Sequence, residues 1–182
     1  LLSISWGPED YQKNVVYIGY EHFEAIRKTG KGAFVLTGHM GNWEYSIMAS
    51  AARGLPTSVI AKRSSVVFVE KILQWYRQKT GAEIFLEEGT AKDILKAVSR
   101  GRFVAFILDQ FMGPPIGLPV SFFGKTAGTA AALALMSDRR DVPILVANNY
   151  RGKDGKIHIE VAAPMEFASL SGDKNERLYQ KT

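Results

Sequence analysis

The sequence predicts an α/β fold, a mainly parallel mixed sheet flanked by helices, and three observations carry that prediction. Short continuous apolar runs recur at Ala33–Thr37, Phe103–Leu108 and Pro143–Ala147, the composition of strands buried on both faces. Segments of helical periodicity lie between them. Glycines at 54, 81 and 101 close those segments where helix ends are expected. Strands separated by helices imply parallel pairing through right-handed crossovers, so polar groups at the carboxyl ends of the strands should gather on one edge.

Each element follows from local pattern. Residues 11–28 carry Val16, Tyr20, Phe23 and Ile26 and read as one helical stripe broken by "GKG". After the Ala33–Thr37 strand, a helix is expected from about Trp43 to Arg53, closed by Gly54 and Pro56. "TSVIA" is the next strand. Phe68, Ile72, Trp75 and Tyr76 mark a helix ending at Gly81, "AEIF" a short strand, and Ile94, Leu95 and Val98 a helix ending at Gly101. Gln110–Gly124 holds three prolines and no charge, and reads as a loop with apolar side chains. Ala127–Met136 is expected to be a small-residue helix. "PILVANNY" and "KIHIEVA" are the last strands, joined by the turn "RGKDGK".

A chain of 182 residues suits one domain with one core, and 46% hydrophobic with 23% charged residues excludes disorder and coiled coil. The absence of cysteine removes disulfides, thiolate metal sites and a cysteine nucleophile, and fits a reducing compartment. A net charge of +5 favours an acidic partner. Nucleic acid is the poorest candidate, since no basic run interleaves with aromatics. The longest uncharged stretch falls short of the ~20 residues that span a bilayer, and the first ten residues form no signal peptide. The chain does not begin with methionine, so a membrane anchor is expected to precede this fragment and a further helix to follow it.

The stretch "TGHMGNWE" places His39 and Glu44 on either side of Gly41 and Asn42. On one continuous helix, residues five apart diverge by about 140°. The two can meet only if the helix starts between them. Gly41 tolerates any backbone conformation and Asn42 is a favoured N-cap, which puts Glu44 in the first turn, where the helix dipole favours a carboxylate. Glu44 would then fix the imidazole tautomer and leave the other ring nitrogen to take a proton from a hydroxyl. The competing reading is that Asn42 and Glu44 cap a helix while His39 packs beside Trp43. A metal site finds no support, because His22 and His158 lie far off in sequence.

"GHMGNWE" resembles the signature of the bacterial lipid A biosynthesis acyltransferases, a branch of the lysophospholipid acyltransferase superfamily whose motif is His-x4-Asp/Glu. "AKR", "DQ", "PVSFFGK" and "TAGTAAALAL" follow in the family's order. The resemblance implies His39 as general base, oriented by Glu44, with Gly41, Asn42, Lys62, Arg63, Asp109, Gln110, Phe122, Phe123, Gly124 and Thr129 as substrate-binding residues. It implies an acyl thioester donor on acyl carrier protein (acyl-CoA as the alternative) and a hydroxyl of a phosphorylated lipid A precursor as acceptor. Neither metal nor cofactor is needed, and the enzyme is expected at the cytoplasmic face of the inner membrane. Another glycolipid or phospholipid acceptor, or a non-catalytic lipid- or carrier-binding module, are the alternatives.

The remaining residues keep two readings each. Lys62–Arg63 would hold phosphate or an acidic carrier, or be a solvated pair. Asp109 would orient groups of the site or cap a turn. Phe122–Phe123 would line a lipid channel or be core, and Arg77 reads as a surface or snorkelling residue. "PVSFFGKT" nearly spells a phosphate loop, but Pro119 stands where its first glycine belongs.

Overall fold

A computed structural model describes residues 7–61, 64–86 and 91–165. Among these, the chain runs α1 (Pro8–Asn14), β1 (Val15–Ile18), α2 (Tyr20–Lys28), β2 (Ala33–Thr37), α3 (Trp43–Ala52), β3 (Thr57–Ala61), α4 (Val67–Lys79), β4 (Glu83–Leu86) and α5 (Ala91–Ser99). It continues through β5 (Phe103–Ile107), β6 (Gly117–Phe122), β7 (Lys125–Ala130), α6 (Ala132–Arg140), β8 (Ile144–Arg151) and β9 (Ile157–Val161).

Seven strands form one sheet in the order β1-β9-β8-β2-β5-β3-β4. From β8 to β4 the pairing is parallel; β9 is antiparallel to β8, and β1 is parallel to β9. The predicted mixed, mainly parallel sheet is therefore present. Adjacent residues along the central strands enter opposite cores, as a side-chain period of two requires. Val35, Phe103 and Leu145 join Phe23, Ile26 and Met48 on one face, whereas Phe34, Val104 and Ile144 join Ile94, Val98 and Met136 on the other. Phe34 and Phe103 are fully buried, each worth about 2–3 kcal/mol of burial.

Three expectations are corrected. The stripe over residues 11–28 is not one helix: "VVYI" forms β1, because β-branched Val15 and Val16 find a partner in β9, and Gly19 turns the chain at φ 77° into α2. The proline-rich segment after Gln110 is not all loop. Gly117–Phe122 pairs with Lys125–Ala130 in an antiparallel hairpin outside the main sheet, where Pro119 needs no ladder donor. The last helix accordingly begins at Ala132, not Ala127.

The fourth difference concerns α4, which is amphipathic in the inverse sense. Glu70 and Arg77, seven residues apart on one face, are buried, while Phe68, Ile72 and Trp75 face solvent. The apolar stripe is there, but it does not face the core.

Candidate active site

Residues 38–42 form the turn between the carboxyl end of β2 and the start of α3. Two glycines make it possible. A Cβ on Gly38 would lie 2.9 Å from Oδ2 of Asp109, and Gly41, at φ 68°, would drive one into the carbonyl and side chain of Asn149. Both neighbours of β2 then hold the turn.

From β5, Asp109 accepts a hydrogen bond from the His39 backbone amide at 2.6 Å and faces the ring Nδ1 with its other oxygen at 2.6 Å. From β8, Asn149 accepts a bond from the Asn42 amide at 2.6 Å and donates to the Met40 carbonyl at 3.4 Å. Asn42 caps α3 as expected, its side-chain oxygen accepting from the Tyr45 amide at 3.0 Å.

An ionised carboxylate only accepts, so the short contact to Asp109 puts the imidazole proton on Nδ1 and leaves the Nε2 lone pair outward. Both side chains are about two-fifths exposed and can meet a substrate. Burial pushes the Asp109 pKa up, but the bonds from the His39 ring and amide, with the attraction of the ring, outweigh it and hold the carboxyl below its ordinary value.

Glu44 occupies the first turn of α3, as predicted, but it does not reach His39. Its Oε1 accepts from Arg77 Nε at 2.8 Å and from Arg77 Nη2. Arg77 is buried on α4, and a buried guanidinium demands a carboxylate, which draws Glu44 toward α4 and leaves His39 to Asp109. Trp43 touches both pairs: its ring lies 5.9 Å from the Arg77 guanidinium carbon and edge-on to His39 at 6.2 Å. A narrow apolar slot with about 40 Å³ of free space runs beneath α3 from this turn, lined by Thr37, Trp43, Ile47, Ala105 and Asn149 among others.

The other expected site residues lie as follows. Lys62 and Arg63 fall outside the described residues. Gln110 is exposed on the segment leaving Asp109. Phe122, Phe123 and Gly124 form the tip of the β6–β7 hairpin, and Thr129 faces Leu118 within it. Among the described residues, the hydrogen bonds of His39 go to Asp109 and to none of these five. Phe122 and Phe123 are therefore not core, and Lys125 opens a strand instead of a helix, which removes the phosphate-loop reading. Arg77, expected as a surface or snorkelling residue, is instead buried, because its guanidinium is satisfied by Glu44, and Asn149 was given no role. Asn149 had a signal in its place at the end of an apolar strand, whereas Arg77 had none beyond its helix.

Comparison with known proteins gives the family and the fold. The family model for bacterial lipid A biosynthesis acyltransferase matches residues 3–180. Lipid A biosynthesis acyltransferase 2 of Shigella flexneri is 26% identical over 168 residues, covering 92% of this chain and 54% of that protein, so the chain spans about half the length of this curated relative. The crystal structure of the 1-acyl-sn-glycerophosphate acyltransferase PlsC from Thermotoga maritima superposes with a TM-score of 0.52 at 12% identity, over 94% of this chain and 74% of that one, a likeness of fold. By sequence along almost its whole length, and with a fold to match, the chain belongs to the bacterial lipid A biosynthesis acyltransferase family.

Proposed function

We propose that this chain is the catalytic domain of an O-acyltransferase that moves a fatty acyl group from a thioester to a hydroxyl of a lipid A precursor. His39 Nε2 removes the hydroxyl proton as the oxygen attacks the thioester carbonyl carbon. The tetrahedral intermediate collapses with cleavage of the C–S bond, and the thiolate leaves with the proton returned from the imidazolium. Ester and thiol are the products, so atoms and charge balance. The observation that carries this reading is the 2.6 Å contact between His39 Nδ1 and Asp109, which directs the other ring nitrogen outward.

Asp109 is the orienting carboxylate in this scheme, and Glu44 is a positioning residue that locks α4 to the first turn of α3 through Arg77. The amides of Trp43 and Glu44, which bond no group among the described residues, are suited to an oxyanion at the helix N-terminus. Lys62 and Arg63 are proposed to hold the acceptor phosphate or an acidic carrier protein. The donor is acyl carrier protein, with acyl-CoA as the alternative, and the reaction runs at the cytoplasmic face of the inner membrane. The net charge of +5 supports anionic partners on both sides of the reaction.

Mass spectrometry of lipid products after incubation of the full-length protein with acyl carrier protein thioesters and a lipid A precursor tests the reading. One added acyl chain, absent with His39→Ala, is expected. No new ester on any glycolipid or phospholipid acceptor overturns it.

A further inference from the structure

Among the described residues most of the large exposed apolar side chains lie toward one edge, with Ile18 and Met165 at the other. Met40 leaves the carboxyl end of β2, Phe68 stands in the first turn of α4 beyond β3, and Phe111, Ile116, Phe122 and Phe123 follow β5. β2, β5 and β3 are adjacent and parallel, so these segments share the edge that carries His39 and Asp109. At the opposite edge, the turns that lead into β2, β5 and β8 carry Lys31, Arg100, Arg102 and Arg140.

Two elements at the apolar edge are built against the ordinary rule. On α4 Glu70 and Arg77 are inside and Phe68, Ile72 and Trp75 outside, with Lys71 beside the stripe and Lys79 over the Trp75 ring at 5.5 Å. At the hairpin tip, Phe123 and Gly124 take φ of 48° and 74°, the paired left-handed conformation of a two-residue turn that favours Asn-Gly. A phenylalanine is strained there, and it is 90% exposed. Neither the backbone nor water gains from that choice of residue. Phe122 stacks edge-on against it at 4.6 Å, and Lys125 pairs with Phe122 across the ladder.

We infer that the Phe122–Phe123 hairpin tip and the outer stripe of α4 insert into the interfacial layer of an anionic lipid bilayer, setting the His39 edge against the lipid. Phe123 stands 90% exposed on a two-residue turn of a hairpin outside the main sheet, which suits entry into a deformable phase better than seating in a preformed protein groove. Lysines beside both aromatic groups complement an anionic headgroup layer, and aromatic rings settle at that depth. No helix among the described residues is long and apolar enough to cross a membrane, so these elements lie on the surface. For its purpose, the delivery of a lipid acceptor to His39, the inference rests on the acyl-transfer reading.

The chain has no cysteine, which makes single-site labelling direct. Nitroxides placed through Phe123→Cys, Ile72→Cys and Lys31→Cys in this 182-residue chain are examined with and without phosphatidylglycerol–phosphatidylcholine vesicles. Labels at 123 and 72 should gain collisions with oxygen and lose collisions with an aqueous nickel chelate when vesicles are added, and the label at 31 should change in neither. Phe123→Asn should relieve the turn, so its melting temperature should hold or rise while vesicle partition falls at least about tenfold. Labels at 123 or 72 already shielded before vesicles, as packing against the rest of the chain or a second copy would cause, overturn the inference. So do labels that stay aqueous with vesicles, or an unchanged partition for Phe123→Asn. Partition is measured on His39→Ala protein without donor or acceptor, so a failure of catalysis and a failure of insertion are read separately.

Discussion

Asp109 holds His39 twice, at the ring nitrogen and at the backbone amide, from a strand seventy residues further along the chain. One carboxylate thereby sets both the orientation of the imidazole and the path of the backbone that carries it. Asp109→Asn should lower kcat about 10²–10⁴-fold, because an amide presents a donor as readily as an acceptor and releases the tautomer. Glu44→Gln should cost less than Asp109→Asn, since Glu44 meets Arg77 and not the ring. Steady-state kinetics of the two variants rank them, and the reverse order would make Glu44 the direct partner during turnover.

The lowered pKa of Asp109 has a signature in stability. The folded carboxyl lies below the unfolded value of 3.8, so the unfolded chain binds more protons near that pH and stability rises with pH there. The contribution is complete above the unfolded pKa and disappears as pH falls through the folded one. Urea midpoints of wild type and Asp109→Asn should therefore differ at pH 7 and converge as the pH falls through the lowered pKa of the folded carboxyl. Asp154, lowered by bonds from the Lys156 amide and from His158, titrates in the same window, and an Asp154→Asn control separates the two.

Arg77 is a fold residue with a functional address. Arg77→Met removes two charge-assisted bonds from a half-buried Glu44 and should cost about 2–3 kcal/mol of stability in urea unfolding. Glu44→Gln combined with Arg77→Met should recover part of that loss, since no carboxylate is then left without its cation. A double-mutant cycle that sums additively would show that the pair is not coupled.

The turn between β2 and α3 leaves no room for a side chain at 41. Gly41→Ala should cost about 1–2 kcal/mol from the left-handed backbone alone and more from the collision with Asn149. Its effect on kcat should exceed its effect on stability, because the displaced segment carries His39. Gly54→Ala is the control: it has a similar φ of 86° but no atom within 4 Å, and should change stability without touching the rate.

How far the sequence could be read depended on the range of the interactions involved. β2 and β5 were legible because a strand buried on both faces must be apolar at every position. β1 was hidden, since Val16 and Tyr20 fit a helical stripe as well as a strand and only the distant β9 decides between them. The hairpin went unread because its turn uses Phe-Gly and its strands carry Pro119 and the exposed Phe122. Within the site, His39, the Asn42 cap and the position of Glu44 are local and were recovered. Asp109 was read as an orienting carboxylate or a turn cap but not matched to His39, and Arg77 was not matched to Glu44, because both arrive from other elements. For Arg77 the ordinary inside-out rule pointed the wrong way, toward an apolar stripe that faces solvent.

The short β1 strand covers four of the five residues of β9, from Val15 against Ile157 to Ile18 against Glu160. Shortening the chain to Gly19 would bare a ladder of amide and carbonyl groups on a strand whose Ile157, Ile159 and Val161 are buried, a template on which a second molecule can add. Such a shortened protein should form concentration-dependent oligomers in sedimentation velocity, because the first strand works as a guard rail against self-assembly as well as a border of the sheet.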